Sequence, residues 1–235
     1  MPHLLIDRFR FDSFQIDREG QYQSKLLSRF GQKVLIFFVI TPPHETVERA
    51  WIRGLLTSRY KAVEDLLDHN IEAYTGMPEL FFSWIRIKDK DINFEFLDNT
   101  VPLGQTPKTI AFGRTEEMYI LDVVGLNNID LFKEVNVQAK SAGEVLIAQE
   151  TLEYEFLRQC LYNIEEIYFI NREDKKVYGI FKEGKWIYKN GSYNPHNNEE
   201  QKCLLALGWF ERSKEYTINS LREPKVVNYD QTLGS

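Results

Sequence analysis

The sequence predicts an α/β protein, with a parallel sheet and helices over about residues 1–125. An α+β carboxyl-terminal region with an antiparallel meander follows over 126–235. Three observations carry that prediction. Val34 to Ile40 is apolar at every position and rich in β-branched and aromatic side chains, the pattern of a strand covered on both faces inside a parallel sheet. Helix-period segments alternate with it on either side. Ile167 to Tyr188, broken by turn signals at Asn171 to Lys175 and at Glu183-Gly184, reads as two or three antiparallel strands. The pattern changes near Gly125, where a soft boundary is placed.

Taken in order, His3 to Ile6 is a short apolar strand ending at Asp7-Arg8. Gln21 to Phe30 has Tyr22, Leu26, Leu27 and Phe30 at helical spacing, with Gly31 as its stop. With Val34 to Ile40 these make a βαβ unit whose crossover is long enough for the usual right-handed connection. Thr41 can cap the next helix, and Pro42-Pro43 suit its first turn, where N–H groups lack intrahelical partners. That helix runs from about His44 to Leu56. A second, Tyr60 to Tyr74, puts Val63, Leu66, Leu67, Ile71 and Tyr74 on one face. Gly76 and Pro78 punctuate it, and Glu79 to Ile87 is a further short helix. Ile92 to Leu97, Thr109 to Phe112 and Met118 to Val123 read as strands. Glu144 to Asn163 reads as a long helix, Glu199 to Leu207 as the last one, and a polar tail follows Lys214.

An apolar fraction of 43% with 14% aromatics can build a core, which excludes general disorder. The net charge of −6, from 29 basic and 35 acidic residues, disfavours a general nucleic-acid or anionic-membrane binder but leaves room for a local basic site. Cys160 and Cys203 are the two cysteines, too few for a disulfide framework or a cysteine-rich metal module. The longest apolar run falls far short of the roughly 20 residues that span a bilayer, and no secretory signal is recognisable. The expectation is a soluble cytoplasmic protein with no nucleic-acid or membrane partner. Neither G-x-x-x-x-G-K-[ST] nor G-x-G-x-x-G nor G-x-S-x-G occurs, and the dispersed histidines predict no metal site.

One basic segment could carry chemistry. Arg49 and Arg53 are four residues apart on one helix face, and Arg59 and Lys61 follow a break. Four cations near the carboxyl end of a parallel strand suit a phosphate clamp, because the guanidinium fork matches phosphate oxygens. The plainer alternative pairs Arg49 with Glu45 and leaves Arg53 solvated. Asp7, at the end of a strand, could hold magnesium-bound water or act as base for a hydroxyl, or could simply cap a helix or pair with Arg8 or Arg10. Asp98 and Asn99 lie at a similar edge. Trp51, Phe81, Phe82 and Trp84 read as packing residues, and Cys160 as a buried small apolar side chain.

Longer strings carry a resemblance. Leu5-Ile6-Asp7-Arg8-Phe9-Arg10-Phe11-Asp12, Phe38 to Trp51 (FVITPPHETVERAW), Arg59-Tyr60-Lys61-Ala62-Val63, His69 to Pro78 (HNIEAYTGMP) and Phe96-Leu97-Asp98-Asn99 resemble zeta-toxin-like P-loop kinases of bacteria. The similarity covers roughly residues 1–125. It implies a partial P-loop kinase-like sheet and an ATP- and Mg2+-dependent phosphotransferase acting on a small-molecule hydroxyl. Arg49, Arg53 and Arg59 would belong to a helical lid, beside Lys61, and Asp7 would face the phosphates. In such kinases a first strand and a phosphate-cradling loop precede the region of Leu4, so the resemblance implies a protein incomplete without a P-loop. The chain would then be a truncated gene product, or a partner polypeptide would supply that strand, or the two flanking strands would pair directly in a catalytically inactive binding or interaction module derived from such a kinase. The missing strand would lie beside Val34 to Ile40, leaving an exposed sheet edge there.

Overall fold

The computed structural model describes residues 5, 33–102, 104–147, 154–188 and 195–209. The strand of His3 to Ile6 apart from Leu5, the helix of Gln21 to Phe30, Asp7 and the tail after Lys214 lie outside the described residues.

The protein is α/β, built on a mixed sheet that has seven strands among the described residues, in chain order. Strand β1 (Lys33–Ile40) runs parallel to β2 (Asp91–Asp98); β3 (Lys108–Arg114) and β4 (Glu117–Ile120) continue antiparallel. Strand β4 is parallel to β5 (Glu166–Ile170), and β6 (Val177–Lys182) and β7 (Lys185–Tyr188) add the antiparallel meander. Helices α1 (Pro43–Thr57) and α2 (Val63–Trp84) link the first parallel pair. Helices α3 (Val123–Leu131) and α4 (Glu155–Asn163) link the second, and α5 (Asn198–Ala206) follows the meander. Residue 125 falls inside α3, and β4 and β5 pair across it.

Register decides which face is core. Phe38, Phe96, Ala111, Ile120 and Phe169 stand in one row across five strands, and all are buried. Phe81 of α2 sets its ring on Phe38, Phe94 and Phe96, and Phe156 of α4 meets Phe81, Phe82 and Phe96. These apolar contacts hold α2 and α4 on one face of the sheet. Phe81, Phe82, Trp84 and Cys160 are buried as expected, whereas Trp51 is exposed.

Among the described residues strand β1 ends the sheet, where its doubly apolar pattern predicts an interior place. Among the described residues β2 is its one neighbour. Leu35, Phe37 and Val39, on the face away from the core, are 49%, 47% and 45% exposed.

Three other expectations change. Pro78 does not separate two helices: α2 runs unbroken from Val63 to Trp84 with the proline inside. Proline removes the N–H that would bond the Tyr74 carbonyl, a cost of about 3 kcal/mol in a helix interior. Burial of Tyr74, Met77, Leu80, Phe81, Phe82 and Trp84 on the same helix offsets it. The long helix of Glu144 to Asn163 begins only at Glu155. Upstream, Leu146 pairs with Val135 in an isolated bridge, and Val145 packs with Leu67 in a small second core. Finally, β4 stops at Ile120, and Asp122 caps α3 by accepting the Gly125 N–H at 2.8 Å.

Candidate functional site

The expected basic site lies at the carboxyl ends of β1 and β2, the edge where parallel sheets place ligands. Thr41 does not cap α1; Pro42 is the capping residue and Pro43 opens the helix. The Thr41 side chain instead accepts from Asn99 Nδ2 at 3.0 Å, while the Asn99 N–H donates to the Ile40 carbonyl at 2.8 Å. Tyr74 of α2 reaches the same point. Its hydroxyl accepts the Thr41 N–H at 2.8 Å and donates to the Thr41 carbonyl at 2.9 Å. Burial pushes the Tyr74 phenol well above its ordinary range, the bond to Thr41 opposes this, and the Asp98 charge adds to it. Asp98 is itself occupied: its carboxylate accepts the Thr100 N–H and hydroxyl, both at 2.9 Å.

Arg49 joins α1 to this edge. Its Nη2 donates to Glu45 Oε2 at 2.6 Å and to the carbonyls of Asn99 and Val101, each at 2.8 Å. The plainer alternative, a Glu45 pair one turn away, therefore describes Arg49, with two loop carbonyls added. Arg53 and Arg59 are exposed, and among the described residues their side chains make no hydrogen bond or ion pair. Lys61 turns to the ring of His69, 2.9 Å from Nδ1. Between them the chain folds back at Ser58, which has φ 57°, and the Tyr60 ring packs on Trp51 with centroids 5.4 Å apart. Gly54 leaves room for that ring, since a Cβ there would lie 2.5 Å from it. The structure thus joins Arg49 with Asn99 and Thr41, and leaves Arg53, Arg59 and Lys61 on the exposed end of α1 and the loop after it.

A groove of about 970 Å³ lies between α2 and α4, floored by Phe82 and Phe156 and walled by Glu79, Arg86, Lys133 and Glu155. Three of its charges, Asp130, Lys133 and Glu155, bond one another. Asp130 accepts the Phe156 N–H at 2.9 Å and Lys133 at 3.3 Å, and Lys133 also donates to Glu155 at 3.0 Å. Burial raises the Asp130 carboxyl, against the pull of the Phe156 N–H and the Lys133 charge. Sequence reading missed this cluster. The Asp130–Lys133 spacing was visible, but the Phe156 N–H of the α4 terminus that it closes lies 26 residues on.

On the sheet face away from the core, two rows cross the strands in register. Phe112, Tyr119 and Tyr168 stack with centroids 5.0 Å apart and planes 13° from parallel. Both faces of the Tyr119 ring are spent on its neighbours, so the middle of the ladder is no platform for bases. Beside it run Arg114, Glu117, Glu166 and Lys182. Arg114 donates to Glu117 at 3.1 Å, as Tyr119 does at 3.2 Å, and Lys182 and Tyr168 donate to Glu166. Burial, then the Glu117 charge, pushes the Tyr119 phenol up to about 12.

Among the described residues no cluster of three or more His, Cys, Asp or Glu could hold a metal ion, and no helix is long and apolar enough to cross a membrane. Comparison with protein-family models, with curated proteins and with solved structures finds no match.

Proposed function

We propose that this chain is a catalytically silent interaction module of zeta-toxin-like kinase descent, meeting its partner through β1. The observation that carries this reading is the sheet edge that β1 forms among the described residues, with Leu35, Phe37 and Val39 half exposed beside it. A long apolar edge strand is a ready template for another strand. The state of Arg49 points the same way, because a guanidinium bonded to Glu45, Asn99 and Val101 is a staple between α1 and the β2 loop.

A second reading keeps phosphotransfer. Arg53 and Arg59 are exposed cations on the segment that the kinase resemblance makes a lid, and they suit ATP phosphates carried with Mg2+. In that reading a small-molecule acceptor and a partner strand bearing a P-loop complete the site.

Calorimetric titration with ATP and Mg2+, with ADP as control and a phosphotransfer assay alongside, separates the two. The interaction reading expects no saturable binding up to millimolar nucleotide and no turnover. Micromolar binding, weakened at least tenfold by Arg53→Ala, would instead establish the lid.

A further inference from the structure

We propose that β1 pairs antiparallel with β1 of a second copy of this chain, about a two-fold axis at Phe37. The proposal rests on the interaction reading and names the partner.

Three features lead to it. The first is an edge unguarded among the described residues. Over its eight residues β1 holds register with β2 without a bulge, contains no proline, and carries its one charge, Lys33, at the very start. Natural edge strands are usually blunted by at least one such device.

The second is self-complementarity. Antiparallel pairing centred on Phe37 sets Leu35 opposite Val39, Ile36 opposite Phe38 and Val34 opposite Ile40. Every pair is apolar, on both faces, and Lys33 falls opposite the uncharged Thr41. A two-fold contact uses the same patch on both subunits, so a strand that matches its own reverse is what such a contact requires.

The third is size. Eight residues at roughly 3.3 Å each give an edge about 26 Å long. With side chains standing on both faces, it hides roughly 400–500 Å² per copy, near the lower bound of about 1,000 Å² in total for a specific interface. That predicts a reversible dimer with a dissociation constant in the micromolar range rather than an obligate one.

The full chain is tested by sedimentation velocity from about 1 μM to a few hundred micromolar. The expected result is a shift from monomer to dimer, with Phe37→Lys weakening association at least tenfold. A cysteine variant guards against misfolding as the explanation. Opposed residues in an antiparallel pair have Cα atoms about 4.5–5.5 Å apart, within disulfide reach. Phe37→Cys is therefore expected to cross-link to itself on oxidation. Leu35→Cys is not, because its symmetry mate would lie about 13 Å away. A monomer at every concentration, a dimer indifferent to Phe37→Lys, or equal cross-linking by the two cysteine variants would each overturn the proposal. A monomer whose β1 amides resist hydrogen exchange would assign the edge to the chain's own residues 1–32, and a partner strand that protects it would assign it to another polypeptide; both overturn the second copy. ATP turnover is the separate result that defeats the interaction reading itself.

Discussion

One hydroxyl, that of Tyr74, closes both backbone groups of Thr41: it accepts the N–H at 2.8 Å and donates to the carbonyl at 2.9 Å. Those groups follow β1 directly, so α2 secures the point where the chain leaves the sheet and turns into α1. Tyr74→Phe deletes the oxygen and strands a donor and an acceptor in a part-buried site. The expected loss is about 1–3 kcal/mol, read from urea unfolding; an unchanged midpoint would mean that water replaces the phenol.

Arg49 carries a second test of the same edge. Lysine keeps the charge on a shorter stem, so its ammonium falls short of the point from which Nη2 meets Glu45 and both carbonyls. Arg49→Lys is expected to cost about 1–2 kcal/mol and to leave the nucleotide titration flat. If stability stayed put while nucleotide affinity fell, Arg49 would be a phosphate ligand rather than a staple.

At Gly113 the β3–β4 hairpin leaves no room for a side chain. A Cβ would sit 2.1 Å from the Glu117 carbonyl oxygen, a backbone atom that cannot swing aside. Gly113→Ala is expected to cost about 3 kcal/mol or more, among the larger effects of single substitutions. A thermal unfolding curve that overlays the parent's would show that the hairpin opens at little cost.

Acid should act through Glu166. Hydrogen bonds from Lys182 and then Tyr168 hold its carboxyl below its ordinary value of 4.5. A carboxyl depressed in the folded state contributes stability that is fully present above the unfolded value and is lost as pH falls through the folded one. Unfolding midpoints measured downward from pH 6 should therefore drop below about pH 4.5, and Lys182→Met should flatten that drop. The pair is half-exposed, so the effect is small and weakens with salt. A variant curve with the parent's slope would remove Lys182 from the account.

Gly54→Ala tests the turn after α1. The added methyl meets the Tyr60 ring and displaces it from Trp51. Alanine favours the helix by about 1 kcal/mol, so stability should hold while Trp51 fluorescence shifts to the red. Trp51→Phe provides the baseline, and an unmoved spectrum would mean that Tyr60 adapts in place.

What sequence reading missed lay beyond local pattern. Apolar periodicity located β1, α1, β2 and the meander, because one side chain in two or in three to four must face the core. It could not count the neighbours of Val34 to Ile40, since apolarity on both faces is shared by a covered strand and by one awaiting a cover. Pro78 and the Val145-Leu146 pair failed for one reason. A proline inside a helix and a chain bent out of one are each locally unfavourable, and both are held by distant partners, the Phe81 cluster and Leu67. At the candidate site the Glu45–Arg49 spacing was readable on the helix. The carbonyls of Asn99 and Val101, 50 and 52 residues away, were not.

The agreement between strand order and chain order has a consequence for synthesis. No strand must wedge between two that are already paired, so the sheet can grow from one side as the chain emerges, each new strand joining the margin just laid down. In such vectorial assembly the margin beyond β7 is the last to be finished, whereas the outer margin of β1 is present from the first pairing and receives none of the six described strands that follow.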